Sequence, residues 1–182
     1  MRTGSTSKES ARPGPGRSSE GLLARFQEAM ATFPSGVTIM TTVDGEGRPW
    51  GFTASSFCSL SLDPPLVLVC LAKNAQCHPA FERSDDWVVQ IVHAEHLDLV
   101  KRFATKGADK FGGGEFVSDD RGVPMLPDAS VVLRCSAHAR YDGGDHTILV
   151  ARVHDVELRE TAPVLYFRRD FHPLGPCVRG SG

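Results

Sequence analysis

The sequence predicts a mainly β fold, an antiparallel barrel with two or three short helices set into it. Three observations carry this expectation. β-branched and alternating apolar runs recur along the chain, and Asp/Gly-rich tetrapeptides separate neighbouring runs in the manner of hairpin turns. The helical stretches are also too few and too short to alternate with strands as βα units. No segment repeats.

The elements follow in order. Residues 1–20 hold twelve Ser, Thr, Gly or Pro and only two apolar side chains, Met1 and Ala11. Such a stretch cannot bury enough surface to offset the entropy of ordering, so a flexible tail is expected. Leu22, Leu23, Phe26, Met30 and Phe33 fall on one helical face, which predicts an amphipathic helix over residues 22–32, stopped by Pro34-Ser35-Gly36. Residues 37–43 read as a β-branched strand, and Asp44-Gly45-Glu46-Gly47 as a hairpin turn. No helix follows those glycines and no Gly-Lys-Ser/Thr accompanies them, which excludes a nucleotide-phosphate loop.

Residues 48–71 form the stretch around which the chain is organised. Thr53, Ser55 and Ser59 share a face if the chain is extended, with a bend expected near residues 54–56. Hydroxyls and backbone N–H groups at such a bend suit a phosphate; the other reading is a hydroxyl-rich, half-buried strand pair without a ligand. Pro64-Pro65 then leads into a continuous apolar strand ending at Leu71. Beyond it lie a polar loop (72–76), a short helix (77–83), a strand (87–92), an amphipathic helix (95–104) and a glycine-rich loop (105–115). Strands at 131–141 and 146–157 flank a turn at 142–145, and 164–167 is the last strand. The expected organisation is one domain over residues 21–174 between loose tails, 1–20 and 175–182.

Length and composition bound the function. A chain of 182 residues with 41% hydrophobic and 23% charged residues fits one soluble domain. A formal charge of −2 provides no field to gather nucleic acid or an anionic membrane. The five cysteines are odd in number and include no C-x-x-C, so reduced thiols in the cytoplasm are expected. Cys58 and Cys70 lie in apolar strand patterns and read as small core side chains. Cys77-His78 does not read as a catalytic pair, because sequence neighbours seldom face each other. His93 and His96 straddle the break between strand and helix with no third ligand at metal spacing, so no metal is expected.

The segment GFTASSFCSLSLDPPLVLVCL (51–71) resembles the signature of the flavin reductases, the small components of two-component flavin monooxygenases. The likeness extends to FPSGVTIMTT (33–42), GADKF (107–111), GDHTILVARV (144–153) and LYFRRDF (165–171), and so covers residues 22–171. The resemblance implies an FMN-binding split β-barrel with Greek-key-like antiparallel strands, forming a homodimer. It implies hydride transfer from NADH, or NADPH, to FMN or FAD, with reduced flavin passed to a partner monooxygenase in secondary-metabolite biosynthesis or aromatic hydroxylation. Such a reaction needs alignment and electrostatics more than acids and bases, because the cofactors hold the reacting centres.

Residue by residue, the resemblance sets Trp50, Gly51, Phe52 and Thr53 along the flavin ring and ribityl chain, and Ser55 and Ser56 at the phosphate. Cys70, Leu71, Ala72 and Lys73 run past the pyrimidine side, with Lys73 read equally well as a solvated loop lysine. Lys110 and Phe111 close over the flavin, and Arg102 is either a phosphate partner or solvated. His146 is the catalytic-site histidine beside the nicotinamide, while Arg168 and Phe171 contact the dinucleotide or the partner subunit. Gln90 stands where relatives carry Asn, and as the longer amide it could still reach the ring. Two rivals remain open at this stage: another split-barrel flavoenzyme, and a flavin carrier or sensor that does not turn over.

Overall fold

The structure, a computed structural model, describes residues 19–174. The chain divides into two compact units, Met1–Phe33 and Pro34–Gly182. In the first, helix α1 (Ser19–Ala31) has no buried residue, and Leu22, Leu23, Phe26 and Met30 are exposed. The helix starts two residues inside the segment expected to be a tail. The rest of that tail, residues 175–182 and Cys177 lie outside the described residues. The division falls after α1.

The second unit runs β1 (Ser35–Gly36), β2 (Thr38–Val43), β3 (Pro49–Ala54), β4 (Cys58–Leu62), β5 (Pro65–Ala72), α2 (His78–Arg83) and β6 (Asp86–Ile91). A 3-10 turn, Ala94–His96, leads into α3 (Leu97–Ala104). Then come β7 (Val117–Ser118), β8 (Pro124–Met125), β9 (Val131–Gly143), β10 (His146–Leu158), β11 (Val164–Phe167) and β12 (Asp170–Pro173). Seven strands make one antiparallel sheet in the order β3-β2-β6-β9-β10-β5-β4, beside the small sheets β1-β11-β12 and β7-β8. The mainly β, antiparallel architecture is as predicted. β1, β7, β8 and β12 were not, because two to four residues are too few to show a period. The β11–β12 turn is made by Arg168 and Arg169 at φ 51° and 66°, a conformation that the residue types do not announce.

Two apolar clusters hold the sheet from opposite faces. Along β6, Trp87 and Val89 enter an inner cluster with Phe52, Leu71 and Leu149. Val88 and Val92 enter an outer one with Leu99, Val100 and Phe103 of α3. Alternate residues of a strand face opposite ways, so burial on both faces produces the uninterrupted apolar run seen in the sequence. The sheet curls enough that Phe52 and Ala54 of β3 share the inner cluster with Val69 and Leu71 of β5. The edge strand β4 is exposed along most of its length, which leaves Cys58 exposed and Cys70 half-buried instead of in the core. The buried thiols are Cys77 and Cys135. Ser59 sits on β4, past the bend at Ser55, so it does not continue the face of Thr53.

Gln90 is fully buried, and its amide nitrogen lies 3.1 Å from the Ile39 carbonyl, the Thr41 hydroxyl and the Val88 carbonyl. Its oxygen accepts the Leu126 N–H at 3.1 Å. Both amide N–H groups and the oxygen are engaged inside the fold, so Gln90 serves as a lock between β2, β6 and the loop after β8. Replacing it with Leu strands the Leu126 N–H in an apolar setting, which costs about 1–3 kcal/mol. A urea titration of Gln90→Leu should show that loss as a lower midpoint at unchanged slope.

Candidate functional site

Two clefts of about 330 Å³ and 350 Å³ adjoin each other and share Gln76, Cys77 and Lys110. Both are within the size of ordinary small-molecule sites. The first is walled by Phe52 and Thr53 of β3, by Cys70, Leu71 and Ala72 at the end of β5, and by the C-terminal end of α3, with His146 also on its lining. The second lies between Arg48–Gly51 and the 108–111 loop, against Trp50 and Phe111. No helix among the described residues is long and apolar enough to cross a membrane.

Close packing sets this geometry. A Cβ on Gly51 would stand 2.6 Å from a Phe103 ring carbon and 2.7 Å from the Met40 carbonyl, so only glycine lets α3 approach β3 here. The Thr53 hydroxyl donates to the Val100 carbonyl at 2.7 Å and fastens the same pair of elements. From the loop after α3, the Lys110 ammonium donates to the Gly51 carbonyl at 3.0 Å and the Phe103 carbonyl at 2.9 Å. An ammonium has three protons, so one is left for a ligand. Burial pushes the Lys110 pKa below its ordinary value, opposed by the nearby Cys77. Phe111 packs against Phe103 and Phe116 with ring centroids 5.2 Å and 5.1 Å away, which anchors the loop.

His146 is placed by strand pairing. It opposes Ala72 across β5 and β10, after a two-residue turn whose Gly144 takes a φ of 80°. Its Nδ1 lies 2.7 Å from the Asp145 carboxylate. That hydrogen bond is the main reason the Asp145 pKa falls below the usual carboxylate value. With Nδ1 donating to a carboxylate, Nε2 is the ring atom left for a ligand. Lys73 turns to the same hairpin: its N–H donates to the Asp145 carbonyl at 2.9 Å and its ammonium pairs with Asp142.

At the bend, the Ser56 hydroxyl accepts the Cys70 N–H at 3.0 Å and ties the bend to β5, while Ser55 is exposed. Trp50 donates its indole N–H to Asp44 at 2.9 Å, and that bond leads the causes holding the Asp44 carboxyl well below the usual range. Arg102 pairs with Glu115 at 2.9 Å. Burial pushes the Cys77 thiol up, and His78 faces Thr147 at 2.8 Å, so the two do not form a nucleophile and base.

The structure therefore gathers Phe52, Thr53, Cys70, Leu71, Ala72 and His146 at the first cleft. Trp50, Gly51 and Phe111 line the second, and Lys110 belongs to both. Ser55, Ser56, Lys73, Arg168 and Phe171 line neither. Sequence reasoning missed Asn74, Gln76, Thr105 and Lys106, which also line the first cleft. They lie in the two polar loops that flank the recognised segments. Gln76 joins those loops by accepting the Gly107 N–H at 2.9 Å.

The chain is similar to NADH:riboflavin 5'-phosphate oxidoreductase of Streptomyces pristinaespiralis, with 44% identity over 84% of this chain and 89% of that protein. It is similar to the reductase subunit HsaB of a flavin-dependent monooxygenase from Rhodococcus jostii, with 37% identity over 84% of this chain and 78% of that protein. The NADH:FAD oxidoreductase SgcE6 of Streptomyces globisporus C-1027, solved with NAD and FAD fragments, superposes with a TM-score of 0.80 at 31% identity, covering 86% of this chain and 95% of that one. The profile of the flavin reductase like domain matches residues 30–175. With this profile covering most of its length and three of the five signature segments lining the paired clefts, the chain belongs to the flavin reductase family.

Proposed function

We propose that this chain is an NADH:flavin oxidoreductase that reduces FMN or FAD and releases the reduced flavin to a separate monooxygenase. The observation that carries this reading is convergence: segments bearing Thr53, Cys70, Lys110 and His146, far apart in sequence, meet at one cleft. The donor set fits a flavin, since a half-buried ammonium, an imidazole Nε2 and strand-end backbone face a cleft with apolar walls.

The flavin supplies an electron-accepting ring, and the protein supplies position and charge. Phe52, Thr53, Cys70, Leu71 and Ala72 hold the ring edge, while Ser55 and Ser56 at the adjacent bend offer hydroxyl and backbone donors to the phosphate. Trp50, Gly51 and Phe111 form the continuation of the same floor. Lys110, fixed by two carbonyls, has one proton and its charge left for the cleft, where they would favour added negative charge on a bound flavin. His146, oriented by Asp145, presents Nε2 to the nicotinamide. Arg168 and Phe171 stand on the β11–β12 hairpin, away from both clefts, and are assigned to a homodimer contact that brings them to the dinucleotide. The working compartment is the cytoplasm.

The test is NADH consumption in air with a large excess of free flavin, run for each pairing of FMN or FAD with NADH or NADPH. Many turnovers per chain support a reductase, and a single turnover identifies a carrier instead. His146→Ala should raise the KM for NADH about tenfold, the worth of one hydrogen bond, with flavin affinity nearly intact. Lys110→Met removes a charge-assisted donor worth about 1.5–3 kcal/mol and should lower kcat/KM for flavin roughly 10- to 100-fold.

A further inference from the structure

Outside the clefts, the segment before β9 brings Asp128 against His93 and His96. We propose that these three residues bind a divalent transition ion of the zinc class, with a fourth position open to solvent. One ligand atom from each lies within 4.8 Å of the other two. His93 Nε2 is 3.1 Å from the Asp128 carbonyl, and His96 Nε2 is 3.2 Å from the Asp128 carboxylate. Both imidazoles thus aim the same ring atom at one residue. Tetrahedral zinc with bonds of about 2.0–2.1 Å needs ligand atoms roughly 3.3 Å apart, so the three ligand atoms draw in when the ion binds.

Burial separates this trio from ordinary surface polar groups. The two rings lie 4.0 Å apart between centroids, tilted by 51°, and both histidines are buried, while the Asp128 side chain is 68% exposed. Two imidazoles and one carboxylate form a donor set suited to Zn²⁺, Co²⁺ or Ni²⁺ rather than to Ca²⁺ or Mg²⁺. Spacing alone gave no third ligand, and the fold provides one from 32 residues further on.

The site would act as a clasp. His93 bridges to Pro163, His96 closes the 3-10 turn into α3, and Asp128 belongs to the link into β9. An ion there fastens the start of α3, whose other end walls the clefts.

Tag-free, full-length protein should be stripped with a chelator, dialysed, and titrated with Co²⁺ and then Zn²⁺. One equivalent of Co²⁺ per chain with a tetrahedral visible spectrum, displaced by Zn²⁺ and accompanied by a rise in Tm, is expected. Asp128→Asn, at an exposed position, should fold, retain NADH oxidation, and weaken binding at least tenfold; His96→Gln should do so more severely. Absence of stoichiometric binding, or equal binding by wild type and Asp128→Asn, overturns the proposal. The second outcome would place the ion at another histidine, such as His146 beside Asp145.

Discussion

Phe103 lies directly on the backbone of β3 at Gly51, and the arrangement of the clefts depends on that contact. It sets the distance between α3 and the sheet, and Thr53 and Lys110 then fix it by hydrogen bonds to carbonyls on either side. The hydrogen bonds are directional but individually modest; the steric fit decides whether they can form at all. Lys110 is held in consequence of the packing, since both of its carbonyl partners belong to the residues that meet there. A cation with its direction set by two backbone acceptors is pre-organised, and needs little rearrangement as charge develops nearby.

The rest of the unit supports that contact from both faces of one sheet. β6 contributes alternately to the inner and outer clusters, and Gln90 between them satisfies groups from β2, β6 and the loop after β8. This explains why a polar residue interrupts an otherwise apolar strand: its oxygen meets the buried Leu126 N–H arriving from the loop after β8.

Much of this was legible in the sequence because it is periodic. The run Trp87–Val92, the alternation along the β9–β10 hairpin and the turn at Gly144-Asp145 each carry a local signal, and the structure follows them closely. The segments around Thr53, Cys70 and His146 were legible through resemblance, and they do meet. What escaped has no local signature. Arg168 and Arg169 form a tight turn with residue types that disfavour it, and Gln90 shows its purpose only when Leu126 arrives from elsewhere in the chain. Lys73 reads equally as a cleft residue or a loop lysine, and its pairing with Asp142 shows only in the folded chain. The trio of His93, His96 and Asp128 likewise exists only in the folded chain.

Cys77 sits in the wall common to both clefts, and burial holds its thiol above the ordinary value. Peroxide attacks thiolates, not thiols, so a sulfur kept protonated is a poor target. Reduced flavin generates peroxide wherever it meets dioxygen. A small, apolar, oxidation-resistant side chain at that wall therefore lets the protein work beside its own by-product without losing the shape of the site.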